Sequence, residues 1–166
     1  VSANMENDYF KIISNNKSTH VSFSYCFLSI GNPHCIVFSS DCYAHREEIS
    51  NIINSIYDTG VNISFVLNLD NYINGADKTL MMRVNERGSG WTKSCGSGAT
   101  ATGAFLLKLI SLPEYGSRHI NEIYLEQEGG TLKVEKTRQK KPSPGDEQHF
   151  YLIGPSTFEY NGIWND

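Results

Sequence analysis

The sequence contains no apolar run approaching the length needed to cross a bilayer, so no membrane partner is expected. It has no excess of positive charge. Lys and Arg number 14 against 18 Asp and Glu, and the formal net charge of −4 gives no general reason to expect nucleic-acid binding. The one basic cluster, Lys136 to Lys141, sits beside Pro142, Pro144 and Gly145 and reads as a solvated loop. Internal repeats and low-complexity tracts are absent. Cysteine is scarce: Cys26, Cys35, Cys42 and Cys95 are spaced 9, 7 and 53 residues apart, which matches no C-x-x-C zinc pattern. The opening VSANMENDYF lacks the basic start and apolar stretch of a signal peptide. Without a secretion signal, a disulfide framework is not expected, and the thiols read as reduced and cytoplasmic, mostly buried, with room for one reactive member. The first residue is Val1 rather than methionine, so the chain is read as clipped or as lacking upstream sequence.

What is present suits one compact domain: 166 residues, 39% hydrophobic and 19% charged. Residues 1–19 are polar and rich in Asn, Ser and Lys, and read as a frayed end, a detached strand or the remnant of a linker. The domain proper is expected over residues 20–166. Val21, Phe23, Tyr25 and Phe27 alternate with smaller or polar residues at the period of a strand. Gly31-Asn32-Pro33-His34 breaks the pattern, and Cys35 to Phe38 reads as a short buried strand. Asp41 can cap a helix over Tyr43 to Tyr57, whose Ile49, Ile52, Ile53 and Ile56 fall at helical spacing, with Gly60 placed to end it. Two further strands are expected at Asn62–Leu69 and Thr79–Arg87.

A glycine-rich loop follows, and after Cys95-Gly96-Ser97-Gly98 a second helix is expected over about Ala99 to Ile110. Its early residues are small, which predicts close packing on all sides, threaded through the middle of a sheet. Glu122–Gln127 and Thr131–Lys136 flank Gly129-Gly130 as a hairpin. Phe150–Ile153 and Thr157–Ile163 close the chain as strands. The sum is an α+β domain: a curved, mostly antiparallel sheet wrapped around a central helix, with a second helix outside.

Three local constellations carry chemistry. Cys95 lies between a glycine-rich approach and a helix start. There the positive end of the macrodipole and unpaired N–H groups favour thiolate, so its pKa is expected to fall toward neutrality. Gly96 and Gly98 let backbone come close to a ligand, and the same N–H groups suit a carboxylate. A buried cysteine near a turn fits this context equally well. Glu86-Arg87 ends a strand just before the loop. Arg can hold a carboxylate through two parallel hydrogen bonds and Glu can accept from an ammonium group, although an ordinary surface ion pair fits too. In Gly31-Asn32-Pro33-His34, Asn32 offers a donor and an acceptor, while the turn alone accounts for Gly, Asn and Pro, and His34 alone reads as a structural histidine.

Taken together, GNPHCIVF at 31–38, GVN at 60–62 and ERGSGWTKSCGSGA at 86–99 resemble the diaminopimelate epimerase family, in its order and at about its spacing. The likeness runs from about Tyr25 to Trp164. It implies one of that family's two similar domains, the carboxy-terminal one, and an epimerase that uses neither pyridoxal phosphate nor metal. In that family two cysteines, one per domain, face opposite sides of the substrate α-carbon and exchange its proton.

The resemblance implies Cys95 as this domain's acid/base, with His34 and Glu86 at the catalytic centre. It implies Asn32, Asn62, Glu86 and Arg87 as ligands of the distal amino-acid end of diaminopimelate, and Gly96 and Ser97 as N–H donors to the reacting carboxylate. The partner implied is a first domain carrying the other cysteine, with a homodimer as a further assembly. Two departures stand out. Trp91 occupies a place where the family often has an acidic residue, and no motif for the other catalytic cysteine is present. Cys26, Cys35 and Cys42 do not supply it, and Cys35 falls inside the buried strand. The isolated chain is therefore expected to be inactive. Alternative readings are a proline racemase-like or phenazine-biosynthesis-like isomerase of the same architecture, and a non-catalytic half-domain that binds. A thiol hydrolase lacks a convincing triad.

Overall fold

The structure, a computed structural model, describes residues 10–13, 20–137, 148–157 and 162. In chain order these form β1 (Phe10–Ile13), β2 (His20–Phe23), β3 (Tyr25–Ser29), β4 (Pro33–Val37), a 3-10 turn (Ser40–His45) and α1 (Arg46–Ile56). Then come β5 (Asn62–Val66), α2 (Leu69–Ile73), β6 (Leu80–Glu86), β7 (Gly90–Thr92) and α3 (Gly96–Leu109). A second 3-10 turn (Pro113–Tyr115), β8 (Glu122–Gln127), β9 (Gly130–Lys136) and β10 (Phe150–Ile153) complete the set.

The main sheet has the order β10-β9-β8-β6-β5-β4-β3, with β7 added to β6. Pairings are antiparallel except β4 with β5 and β6 with β8. The helix α3 touches β3 and β10, the two edges, as well as β4, β5, β8 and β9 between them. One helix can meet both edges of a sheet only if the sheet curls around it.

The period-two alternation of each central strand sorts residues onto two faces. Leu28, Ile36, Val66, Met82 and Val84 face α3 and pack with its Phe105, Leu106 and Leu109. Cys35, Val37, Ile63 and Phe65 face the other way, against Ile49 and Ile53 of α1. β5 is buried along its whole length because both faces are covered.

Helical propensity alone does not explain α3, which contains Gly96, Gly98 and Gly103 and two β-branched threonines. Burial does: most of its residues, from Gly98 to Leu109, are inside. Gly103 shows how tight the fit is. A Cβ there would stand 2.6 Å from Val134 Cβ on β9. The small residues of this helix are thus the condition for threading it through the sheet, as the composition of its first turns predicts.

Several boundaries differ from the sequence-based expectation. The first helix opens as a 3-10 turn, and Asp41 lies inside that turn instead of capping it; the capping residue Ser39 makes no side-chain cap bond. The strand expected to run to Leu69 stops at Val66, and the short α2 follows. Asn68 intervenes: its amide donates to Thr79 O (3.0 Å) and Asp77 Oδ2 (2.8 Å) and accepts from Met81 N (2.7 Å), taking partners that would have continued a ladder. The alternating run from Val21 to Phe27 is divided at Ser24: β2 pairs with β1, and β3 joins the main sheet. α3 begins at Gly96, three residues before the expected Ala99. Most of residues 1–19, the basic cluster beyond Thr137, and nearly all of the strand expected at Thr157–Ile163 lie outside the described residues.

Candidate active site

Cys95 caps the amino end of α3. Its backbone is extended, and its sulfur accepts a hydrogen bond from Gly98 N at 3.3 Å. Ser97 Oγ lies 3.5 Å from the same sulfur. The amides of Gly96 and Ser97, at the first two helical positions, have no intrahelical acceptor, as geometry requires.

The face of the sheet toward α3 carries three of the other nominated residues, His34, Asn62 and Glu86. In the parallel β4–β5 register His34 stands beside Asn62, and Glu86 ends β6 on the same face as Val84. Asn62 Oδ1 accepts from Arg87 N (2.9 Å), while its Nδ2 reaches Pro33 O (3.5 Å), so one side chain brackets the ends of β4 and β6. His34 is fully buried, with Nε2 3.2 Å from Asn32 Oδ1. The Glu86 carboxylate accepts from Thr92 Oγ1 and lies against the Cys95 thiol. Arg87 is exposed and donates to Thr59 O (3.1 Å), its stem lying over Gly60. Glu86 and Arg87 form no ion pair among the described residues. They diverge, one toward the sulfur and one along the surface.

The electrostatics correct one expectation. The Cys95 thiol is pushed up from its ordinary value, not down toward neutrality. Desolvation is the main cause, for the residue is only 5% exposed. The bonds from Ser97 and Gly98 act in the lowering direction, and Glu86 pushes further up. The helix end does what peptide dipoles dictate, but burial and a neighbouring carboxylate outweigh it. Cys95 therefore rests as a thiol. Burial also holds His34 down at about 4, against the opposing effect of Glu86, so the imidazole is neutral at pH 7.

Two residues here were missed from the sequence. Gln127, buried at the end of β8, accepts from Cys95 N (2.8 Å) and donates to Cys95 O (3.5 Å). A signal existed: Ile123, Leu125 and Gln127 are alternate inward positions of one strand, and only the last is polar. Ser64 is the other. A Cβ on Gly98 would lie 3.2 Å from Cys95 Sγ and 3.4 Å from Ser64 Oγ, so the serine sits beneath the same turn. Its hydroxyl is buried with no hydrogen-bond partner among the described residues.

Trp91 has a structural account. Its indole donates to Glu47 Oε1 (2.7 Å) and packs against Tyr43 and Phe65. Among the described residues no group of three or more His, Cys, Asp or Glu side chains could hold a metal ion, and no helix is long and apolar enough to cross a membrane. A cavity of about 450 Å³ lies along the later half of α3, between Leu28 on β3 and Phe150 on β10, and none of the nominated residues lines it.

The chain is similar in sequence to known proteins over most of its length. The diaminopimelate epimerase of Methanococcus maripaludis is 32% identical over 145 residues, 83% of this chain and 45% of that protein. That of Nitrobacter hamburgensis is 30% identical over 141 residues, and that of Buchnera aphidicola 29% over 144. The chain resembles the diaminopimelate epimerases. It spans about half the length of the curated epimerases it matches. No family model matches it. Among solved structures, a phenazine biosynthesis protein of the PhzF family from Enterococcus faecalis has 18% identity and a TM-score of 0.49, covering 70% of this chain and 41% of that one. A PhzF-family protein from Bacillus anthracis has 22% identity and a TM-score of 0.45, over 71% and 36%.

Proposed function

We propose that this chain is the carboxy-terminal half of a diaminopimelate epimerase and that Cys95 is one of its two proton-transferring thiols. The observation that carries the reading is the position of Cys95: its sulfur caps a helix, with Glu86 against it and the Gly96 and Ser97 amides open beside it.

Those two amides suit the carboxylate next to the reacting carbon. Asn32, Asn62, Glu86 and Arg87 suit the distal amino and carboxylate groups. Arg87 is the strongest candidate for the distal carboxylate, since it is exposed and, among the described residues, its guanidinium bonds a backbone carbonyl, Thr59 O, and no carboxylate. In the turnover, a thiolate from the other half removes the α-proton while the Cys95 S–H delivers its own proton to the opposite face. The C–H bond breaks on one side as the S–H bond breaks on the other. Electron density left on the α-carbon is shared with the carboxylate held at the helix end, where preorganised N–H dipoles stabilise it. For the reverse reaction Cys95 acts as the base. The raised pKa of the buried thiol favours its acid form in the resting state.

The complete gene product, incubated with L,L-diaminopimelate in D₂O, should form the meso isomer with deuterium at the α-carbon. Cys95→Ala should reduce the rate by about 10²–10⁴-fold or more, the range for losing a positioned acid/base. Turnover of proline in place of diaminopimelate, or a Cys95→Ala protein of undiminished rate, would refute the assignment.

A further inference from the structure

We propose that Gln127 is a positioning residue: its side-chain amide sets the place and orientation of the Cys95 sulfur at the start of α3. The inference rests on the reading of Cys95 as an acid/base and extends it to a residue on a different element.

Gln127 holds both polar groups of the Cys95 backbone, accepting from its N–H at 2.8 Å and donating to its C=O at 3.5 Å. A buried primary amide must find partners, and this one takes them from the residue that bears the thiol. The turn that follows grips the same loop further back. Gly129 N donates to Lys93 O at 2.7 Å. A Cβ on Gly129 would stand 3.0 Å from Ser94 Cβ and 3.2 Å from Lys93 O, so the β8–β9 turn is pressed against residues 93 and 94. The loop that presents Cys95 is thus held at three successive residues by one end of a hairpin.

The consequence is a division among the amides at the helix mouth. Gln127 withdraws the Cys95 N–H, Gly98 N–H goes to the sulfur, and Gly96 and Ser97 are left for an anion. An apolar side chain of the same size would fill the space but would leave the Cys95 backbone free to rotate the sulfur off the Gly98 amide.

The test uses the 166-residue chain. Gln127→Met keeps length and volume and removes both hydrogen bonds; Gly129→Ala attacks the same loop without leaving a polar group unpaired. Two quantities are read: the pH–rate profile of iodoacetamide alkylation at Cys95, resolved by peptide mass, and hydrogen exchange at the Gly98 amide. In both variants the profile should move to higher pH, because the sulfur loses an N–H donor. Gly98 exchange should speed up on the order of tenfold while the Leu106 amide, deep in α3, keeps its protection. A folded Gln127→Met protein with an unshifted profile and unchanged Gly98 exchange overturns the proposal, even if its melting temperature has dropped. Should that variant not fold, Gly129→Ala decides on the same two readouts. Neither readout involves an amino-acid substrate. A negative result therefore leaves the epimerase reading to its own assay, and a failed epimerase assay leaves this result standing.

Discussion

At the scale of single residues, the balance around Cys95 is between dipoles and burial. The sulfur has a backbone N–H and a serine hydroxyl in its favour, but desolvation and the Glu86 carboxylate win. Removing that carboxylate should tilt the balance. In Glu86→Gln the alkylation profile of Cys95 should move to lower pH, measured against wild-type chain in the same buffer series. His34 gives a second residue-level prediction. Its folded pKa of about 4 lies below its ordinary 6.5. Between those values the unfolded chain binds a proton that the folded chain refuses, so stability falls as pH drops through this window. At 1.36 kcal/mol per unit the loss amounts to about 3 kcal/mol. Urea midpoints of wild type and His34→Gln at pH 7 and pH 4.5 should show a smaller acid loss in the variant.

At the scale of elements, α3 is the helix on which everything else is wrapped. Gly103→Ala should destabilise the chain by about 1–3 kcal/mol, because its new methyl group meets Val134 at a distance no relaxed contact allows. Phe105→Ala should cost about 3–5 kcal/mol through the cavity it leaves in the core. Thermal or urea denaturation measures both, and an unchanged midpoint for Gly103→Ala would mean that the helix can slide away from β9. This element was legible before the structure, since the small residues of its first turns predict a closely packed helix, and of its residues Lys108 alone is exposed. The interrupted strand after Val66 was not legible. Its end depends on Asn68 finding the backbone of Thr79 and Met81, partners more than ten residues away. The Asp41 cap failed for a related reason: the chain enters α1 through a 3-10 turn whose packing against the rest of the fold, not local capping, sets its start.

At the scale of the whole molecule, the chain spans about half of the epimerases it resembles, and the proposed reaction needs two opposed thiols. The 166-residue chain by itself should show no epimerisation of L,L-diaminopimelate within the detection limit of a coupled assay, while the complete gene product should be active.

Local order in the chain was enough to place most strands of the main sheet and the two longer helices, though not the three-residue β7 or the short α2, because hydrophobic period and backbone-restricting residues act over a few positions. What the sequence could not determine is which distant groups meet. That Glu86 turns to the sulfur while Arg87 turns away, that Gln127 reaches back across 32 residues to hold Cys95, and that the thiol rests protonated are all outcomes of packing. The net charge state of a buried group is a sum over neighbours and lost water, and only the folded chain assembles that sum.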